Sequence, residues 1–324
     1  MTKSISYCCP ESGCRAPLTV KGEGLGCPAG HFFAFAAGTD VPIFASQPEV
    51  SNEYSLVNAA EVHDNSLRWV FATFDEQEPR LRERLIERLG LKPGDRVLVT
   101  GAGAGNDLPY LVRVMDGVGE VYAQDIAKEM LLAGVERYQD SLTTPRMHLQ
   151  FSVSDATNLP FADDAFDAAY HFGGINLFPD VAKGIAEMNR VVKPGGKIVI
   201  GDEGLGPWLL GTEVGKMLVT NNALYAYEPP LAHLPETARS VKLTWELCNT
   251  FYVIEFIVSD LPLPINIDVP HVGTRGGSIR SRYAGQLEGV TPALRDKLYA
   301  EAERRGVSRV ELIESFLRSG LGKD

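Results

Sequence analysis

No uninterrupted apolar run in the 324 residues approaches 18, which excludes a transmembrane helix of ordinary length. The opening MTKSISYCCPESGC has no apolar core and does not read as a secretory signal, so a cytoplasmic location and no membrane partner are expected. Positive charge is in short supply. Lys plus Arg number 31 against 42 Asp plus Glu, for a formal net charge of −11. Such a surface disfavours nonspecific attraction to nucleic acid or anionic lipid, while leaving a local basic groove open. Cysteine is scarce beyond the first 27 residues, which hold four of the five, so no disulfide framework spans the chain. One glycine is also missing. VLVTGAGAGND (Val97–Asp107) carries Gly101, Gly103 and Gly105, but Asn106 stands where a dinucleotide site requires the last glycine of G-x-G-x-x-G. A ligand without a pyrophosphate is expected there.

What is present is an apolar, β-branched run ending in a glycine-rich turn, and a second short run, VYAQDI, ending in Asp125. In an α/β sheet such a turn lets backbone approach a ligand, and a carboxylate at the next strand end accepts both ribose hydroxyls. Two further runs follow in order: SDATNLPFADDAFDAAY (Ser154–Tyr170) and NRVVKPGGKIVIGD (Asn189–Asp202).

These four features, from about Leu85 to Asp202, resemble the class I S-adenosylmethionine-dependent methyltransferases of the type 11 kind. The resemblance implies that Gly101, Gly103 and Gly105 cradle S-adenosylmethionine and that Asp125 takes its ribose. It also sets Ile126 against the adenine, with Asp155 accepting from the adenine amino group and Ala156 offering backbone. It further implies methyl transfer by in-line displacement to an acceptor approaching over the carboxyl ends of the first and fourth strands. A small molecule attacked at oxygen, nitrogen or carbon is the acceptor expected. An RNA base is the alternative, and a non-catalytic nucleoside-binding regulator a third reading. His171 ends the fourth strand in YHFGGINLF, as a general base or as a strand-end histidine bonded to backbone. One departure stands out. The family's acidic residue two positions before the first glycine is Val99 here, so the carboxylate near the methionine amine is lacking.

The first 46 residues form a module of their own, too small to hold much core. Cys9-x4-Cys14 and Cys27-x3-His31 supply three thiolates and one imidazole in two pairs, the donor set of a closed, structural Zn²⁺ site. Cys8 is a spare for Cys9. The module resembles the zinc ribbon that precedes the catalytic domain in large-subunit ribosomal RNA guanine methyltransferases.

Residues 47–260 read as the methyltransferase domain, entered through a linker (46–60) and helices over Asn65–Leu89. Strands at Val97–Thr100, Glu120–Gln124, His148–Ser152, Phe166–His171 and Lys197–Gly201 alternate with helices. The fold expected is α/β: a Rossmann-like, seven-stranded sheet with helices on both faces, plus the ribbon and a C-terminal helical hairpin. Pro207–Tyr227 reads as helical, and Lys242–Asn249 with Thr250–Val258 as the closing antiparallel pair, Cys248 in the core. Residues 261–324 form an extension. Arg275, Arg280 and Arg282 lie in a Pro/Gly-rich loop suited to clamping a carboxylate or phosphate. Helices beginning near Pro292 and Ser308, divided at Gly306, carry an apolar stripe suited to packing or to a homodimer.

Overall fold

A computed structural model describes residues 7–45, 54, 56–285 and 290–322, so most of the linker expected at 46–60 lies outside the described residues. The chain divides into two compact units, Met1–Leu261 and Pro262–Asp324.

In the first unit, β1 (Thr19–Val20), β2 (Gly24–Gly26) and β3 (Phe32–Ala34) make a small antiparallel sheet around Cys9, Leu18, Leu25, Cys27 and Phe33. Helices α1 (Ala59–Thr73) and α2 (Glu78–Glu87) follow. Then come β4 (Arg96–Thr100), α3 (Leu108–Val114), β5 (Gly119–Asp125), α4 (Lys128–Leu142), β6 (Met147–Val153) and β7 (Phe166–Phe172). α5 (Val181–Val191) leads into β8 (Val192–Glu203), and α6 (Glu213–Asn221), β9 (Arg239–Glu246) and β10 (Phe251–Ile257) complete the unit.

Seven strands form one sheet in the order β6-β5-β4-β7-β8-β10-β9. The first five of that order run parallel, and β10 is antiparallel to both β8 and β9. This is a Rossmann-like α/β fold. Successive strands step outward from β4 to β6, and the chain then returns to the other side of β4 at β7. That reversal falls between β4 and β7, and such sheets bind ligands at the carboxyl ends of the strands beside it.

The period of two along the strands sorts the core. Val97, Val99 and Tyr170 face α2 and α4 with Leu85 and Leu131, whereas Leu98, Ala169 and Ile200 face α5 with Ile185 and Met188. β8 starts at Val192 rather than Lys197, because Val192 already pairs with Phe166 before a register shift.

Two expectations need correction. Within Pro207–Tyr227 only α6 is an α-helix, begun where the Thr212 hydroxyl accepts the Gly215 N–H at 3.0 Å; a 3₁₀ turn at Ala223–Ala226 follows. And β9 stops at Glu246. Leu247, Cys248 and Asn249 take φ of 46°, 55° and 66°, a tight left-handed connection to β10 that no strand accommodates. Cys248 is therefore exposed rather than in the core.

The second unit holds α7 (Ile279–Ala284), α8 (Pro292–Arg305) and α9 (Arg309–Leu321). α8 ends at left-handed Gly306, and Ser308 with Glu311 forms a capping box on α9. The Arg280 guanidinium pairs with Asp268 at 2.7 Å, Arg282 donates to the Gly276 carbonyl, and Arg275 is exposed. No helix among the described residues is long and apolar enough to cross a membrane.

Candidate functional site

The glycine turn forms because β4 must reverse direction over the sheet and enter α3 within a few residues. Gly101, Gly103 and Gly105 all take left-handed φ, of 61°, 52° and 80°. At Gly101 space is also decisive: a Cβ there would stand 2.8 Å from Cε1 of His171.

The turn is laced to the neighbouring strand end. The Ala102 N–H donates to the Gln124 carbonyl at 2.9 Å. The Asp125 carboxylate accepts the Gly103 N–H at 2.8 Å on one oxygen and the Ala127 N–H at 2.7 Å on the other. Burial pushes the Asp125 carboxyl up, against the pull of the N–H groups of Ala127, Gly103 and Ile126. Ile126, next in the chain, is 40% exposed and presents a free apolar face at the same strand end.

The third strand end joins them. The Ser154 N–H donates to the Asp125 carbonyl at 3.0 Å. Asp155 follows, its carboxylate accepting the Thr157 N–H at 2.7 Å, and Ala156 is buried. The structure thus brings Gly101, Gly103, Gly105, Asp125, Ile126, Asp155 and Ala156 to the carboxyl ends of adjacent strands β4, β5 and β6.

His171 lies beneath this turn rather than beside it. It is fully buried, with Nδ1 2.9 Å from the Thr100 hydroxyl and its ring edge-on to Phe178. Nε2 has no hydrogen-bond partner among the described residues. Burial lowers its pKa to about 4, despite the opposing charge of Asp202, so the imidazole is neutral at physiological pH.

Asn176, Asp202, Glu203 and Tyr252, which sequence reasoning passed over, cluster around the ends of β7 and β8. Asp202, fully buried, accepts the Asn176 N–H at 2.7 Å, and the Asn176 amide donates to the Glu203 carbonyl at 2.7 Å. The Tyr252 hydroxyl donates to the Asn176 side-chain oxygen at 2.9 Å. Burial, reinforced by adjacent Asp202, pushes the Glu203 carboxyl up to about 9. Tyr225, buried nearby, is pushed up to about 12 by burial and by Glu203. The available signal was the pair of carboxylates closing the apolar run KIVIGDE. Gly134 in α4 was also missed: a Cβ there would stand 3.1 Å from the Ala104 carbonyl carbon, so glycine lets α4 press against the turn.

Asp107 does not cap α3 with its side chain. It is held by Arg82 of α2 at 2.7 Å, and Arg82 also pairs with Glu78 at 2.7 Å while remaining 6% exposed.

Away from the turn, Cys9, Cys14, Cys27 and His31 bring their ligand atoms within 4.8 Å of one another. Cys14 Sγ and Cys27 Sγ are 3.8 Å apart, and His31 Nδ1 lies 3.3 Å from Cys9 Sγ and 3.4 Å from Cys27 Sγ. Tetrahedral Zn²⁺ needs S···S edges of about 3.8 Å and S···N edges of about 3.6 Å, from its usual bond lengths. The donor set and spacing fit. Cys8 is outside the group, its N–H bonded to the Pro160 carbonyl at 2.8 Å.

Residues 98–200 match the family described as a methyltransferase domain. A demethylmenaquinone methyltransferase of Beutenbergia cavernae is 40% identical over 128 residues, which cover 39% of this chain and 48% of the relative. A 2-phytyl-1,4-naphtoquinone methyltransferase of Trichormus variabilis is 32% identical over 121 residues, covering 37% and 52%. The chain spans about half the length of the curated relatives it matches. Among solved structures, phosphoethanolamine N-methyltransferase 2 of Haemonchus contortus, in complex with S-adenosyl-L-methionine, superposes with a TM-score of 0.51 at 15% identity. That alignment covers 65% of this chain and 61% of that one, and it speaks for the fold alone.

Proposed function

We propose that the chain is an S-adenosylmethionine-dependent methyltransferase acting on a small, quinol-like acceptor. One observation carries this reading: the Asp125 carboxylate, at the end of β5, reaches across to the Gly103 N–H at 2.8 Å. A carboxylate held against a glycine turn at a sheet's switch point is what a ribose diol requires.

Bound S-adenosylmethionine supplies an already activated methyl group, so alignment and water exclusion are the protein's main tasks. Gly101, Gly103 and Gly105 allow backbone to approach the nucleoside. Asp125 accepts its ribose hydroxyls, Ile126 packs on the adenine, and Asp155 and Ala156 meet the adenine edge. Val99 offers no carboxylate to the methionine amine.

The acceptor lies over β7 and β8. A Cβ on Gly173 or Gly174 would meet no atom within 4 Å, so the space beside these two residues is open. Glu203, at the end of the neighbouring strand β8, has a proton affinity close to that of a phenolic hydroxyl, whose ordinary pKa is about 10. Ionised Glu203 therefore accepts an acceptor hydroxyl's proton with little energetic mismatch. His171, fully buried and neutral, supports the turn from below rather than meeting the acceptor. The relatives' names, a demethylmenaquinone and a 2-phytyl-1,4-naphtoquinone methyltransferase, support an acceptor of the quinone class, taken here in its hydroxyl form.

Cys9, Cys14, Cys27 and His31 would hold one structural Zn²⁺, which would stiffen the N-terminal module and take no part in transfer. Calorimetric titration with S-adenosylmethionine tests the core of the proposal. Asp125→Ala should weaken binding by at least tenfold, about 1.4 kcal/mol or more. Equal affinity in wild type and variant would remove the assignment.

A further inference from the structure

We infer that the Cys9–His31 knuckle governs nucleoside affinity by bracing the loop that carries Asp155 and Ala156, with Arg15 as the positioning residue. The inference rests on the proposed cofactor reading, because it takes that loop to border the adenine.

The brace is built from residues adjacent to the metal ligands. Arg15 follows Cys14, and its own backbone is left-handed, with φ of 46°. Its guanidinium donates from Nη1 to the Leu159 carbonyl at 2.7 Å and from Nη2 to the Asn158 side-chain oxygen at 3.1 Å. Asn158 returns a bond from its amide nitrogen to the carbonyl of Pro10, next to Cys9, at 2.8 Å. Cys8, on the other side of Cys9, donates its N–H to Pro160 at 2.8 Å. Tyr7 packs on Phe161, ring centroids 5.3 Å apart.

Movement at Asn158 is transmitted to Asp155 over a short, closed path. The Asn158 N–H donates to the Asp155 carbonyl at 2.9 Å, and the Thr157 N–H to the Asp155 carboxylate at 2.7 Å. On its opposite flank the loop is held by α5. Glu187 accepts the Leu159 N–H at 2.8 Å, and Arg190 donates to the Phe161 carbonyl at 2.8 Å. The loop is therefore clamped between a helix of the sheet domain and a module whose own core is five buried residues. A module that small keeps its shape through its ligand set. With the ligands parted, the backbone at Pro10 and Arg15 no longer has a defined place, and one side of the clamp is released.

Linkage makes the inference testable from both ends. If metal raises nucleoside affinity by some factor, nucleoside must raise metal affinity by the same factor. The experiment uses the full chain with S-adenosylhomocysteine as probe, comparing zinc-loaded wild type, chelator-stripped wild type and zinc-loaded Arg15→Ala. Stripping should raise Kd by about tenfold and Arg15→Ala by about three- to tenfold, and stripping Arg15→Ala should bring it to about the tenfold of stripped wild type rather than to the product of the two. Saturating S-adenosylhomocysteine should raise the equilibrium zinc affinity of wild type about tenfold, read against a competing chromogenic chelator, and that of Arg15→Ala by clearly less. Arg15 is a partly exposed residue, and the zinc affinity of wild type needs no variant at all. Binding by wild type that ignores both Arg15 and the metal, with zinc affinity indifferent to the probe, overturns the brace alone. Failure of zinc-loaded wild type to bind the probe overturns the cofactor reading, and the brace with it.

Discussion

At the scale of single residues, the proposed role of Glu203 sets stability against turnover. An unfolded glutamate releases its proton near pH 4.5, whereas folded Glu203 keeps it to about 9, held by burial and by Asp202. Between those values the unfolded chain binds fewer protons than the folded one, so this group's contribution to stability falls as pH rises. Proton acceptance by Glu203 moves the other way and grows toward about pH 9. Glu203→Gln should therefore melt in urea at higher denaturant than wild type at pH 8 and at the same concentration at pH 4. Its pH–rate profile should lose the alkaline rise; an unchanged profile would take the proton from Glu203. Reading the chain alone placed the glycines, Asp125 and Asp155 on adjacent strand ends, because each is marked by a local pattern. It could not separate a base from a buttress at His171. That difference lies in Phe178 and Met188, which come from later segments and close over the ring and its Thr100 partner. Asn176, Asp202, Glu203 and Tyr252 went unnoticed for a similar reason. They meet only once the α5 crossover has laid β8 parallel to β7 and β10 has joined β8 from the other side.

At the scale of elements, α2 is fastened to the glycine turn by charge. Arg82 leaves 7% of its side chain exposed and bridges Glu78 and Asp107, while the Tyr170 hydroxyl also donates to Asp107 at 3.4 Å. Truncating one partner of a buried ion pair strands the others without solvent. Arg82→Ala should cost about 3–5 kcal/mol in a urea melt; a loss under about 1 kcal/mol would mean that water replaces the guanidinium. Strands and helices from β4 to β8 were legible within a few residues, since period-two and helical patterns alternate cleanly there. The segment after β8 was not. The apolar residues of Pro207–Tyr227 are divided between a short helix and turns, with Tyr225 in the main core and Leu209, Leu218 and Val219 packed against it. The left-handed run Leu247–Asn249 contains no glycine to announce it.

At the scale of the whole molecule, the N-terminal module is part of the first unit's architecture. The Phe44 N–H donates to the Val153 carbonyl at 2.7 Å, the Val153 N–H to the Pro42 carbonyl at 2.9 Å, and Ile43 bridges Val153 in parallel. These contacts cover the carboxyl end of β6, the outermost strand on that side of the sheet. A chain lacking residues 1–45 bares that edge together with Phe161, an invitation to intermolecular pairing. Light scattering should find it aggregated at concentrations where the full chain is monodisperse; a clear solution would deny the segment a covering role. The same contacts dictate an order of assembly. Cys9 and His31 are 22 residues apart, but Arg15 and Leu159 are separated by 144. Closing so long a loop is slow compared with closing the short one. A nascent polypeptide halted before Asn158 thus already owns Cys9, Cys14, Cys27 and His31, the four proposed metal ligands, and has nothing yet to brace, so the oldest part of the chain must wait for its newest neighbour before the proposed nucleoside pocket exists.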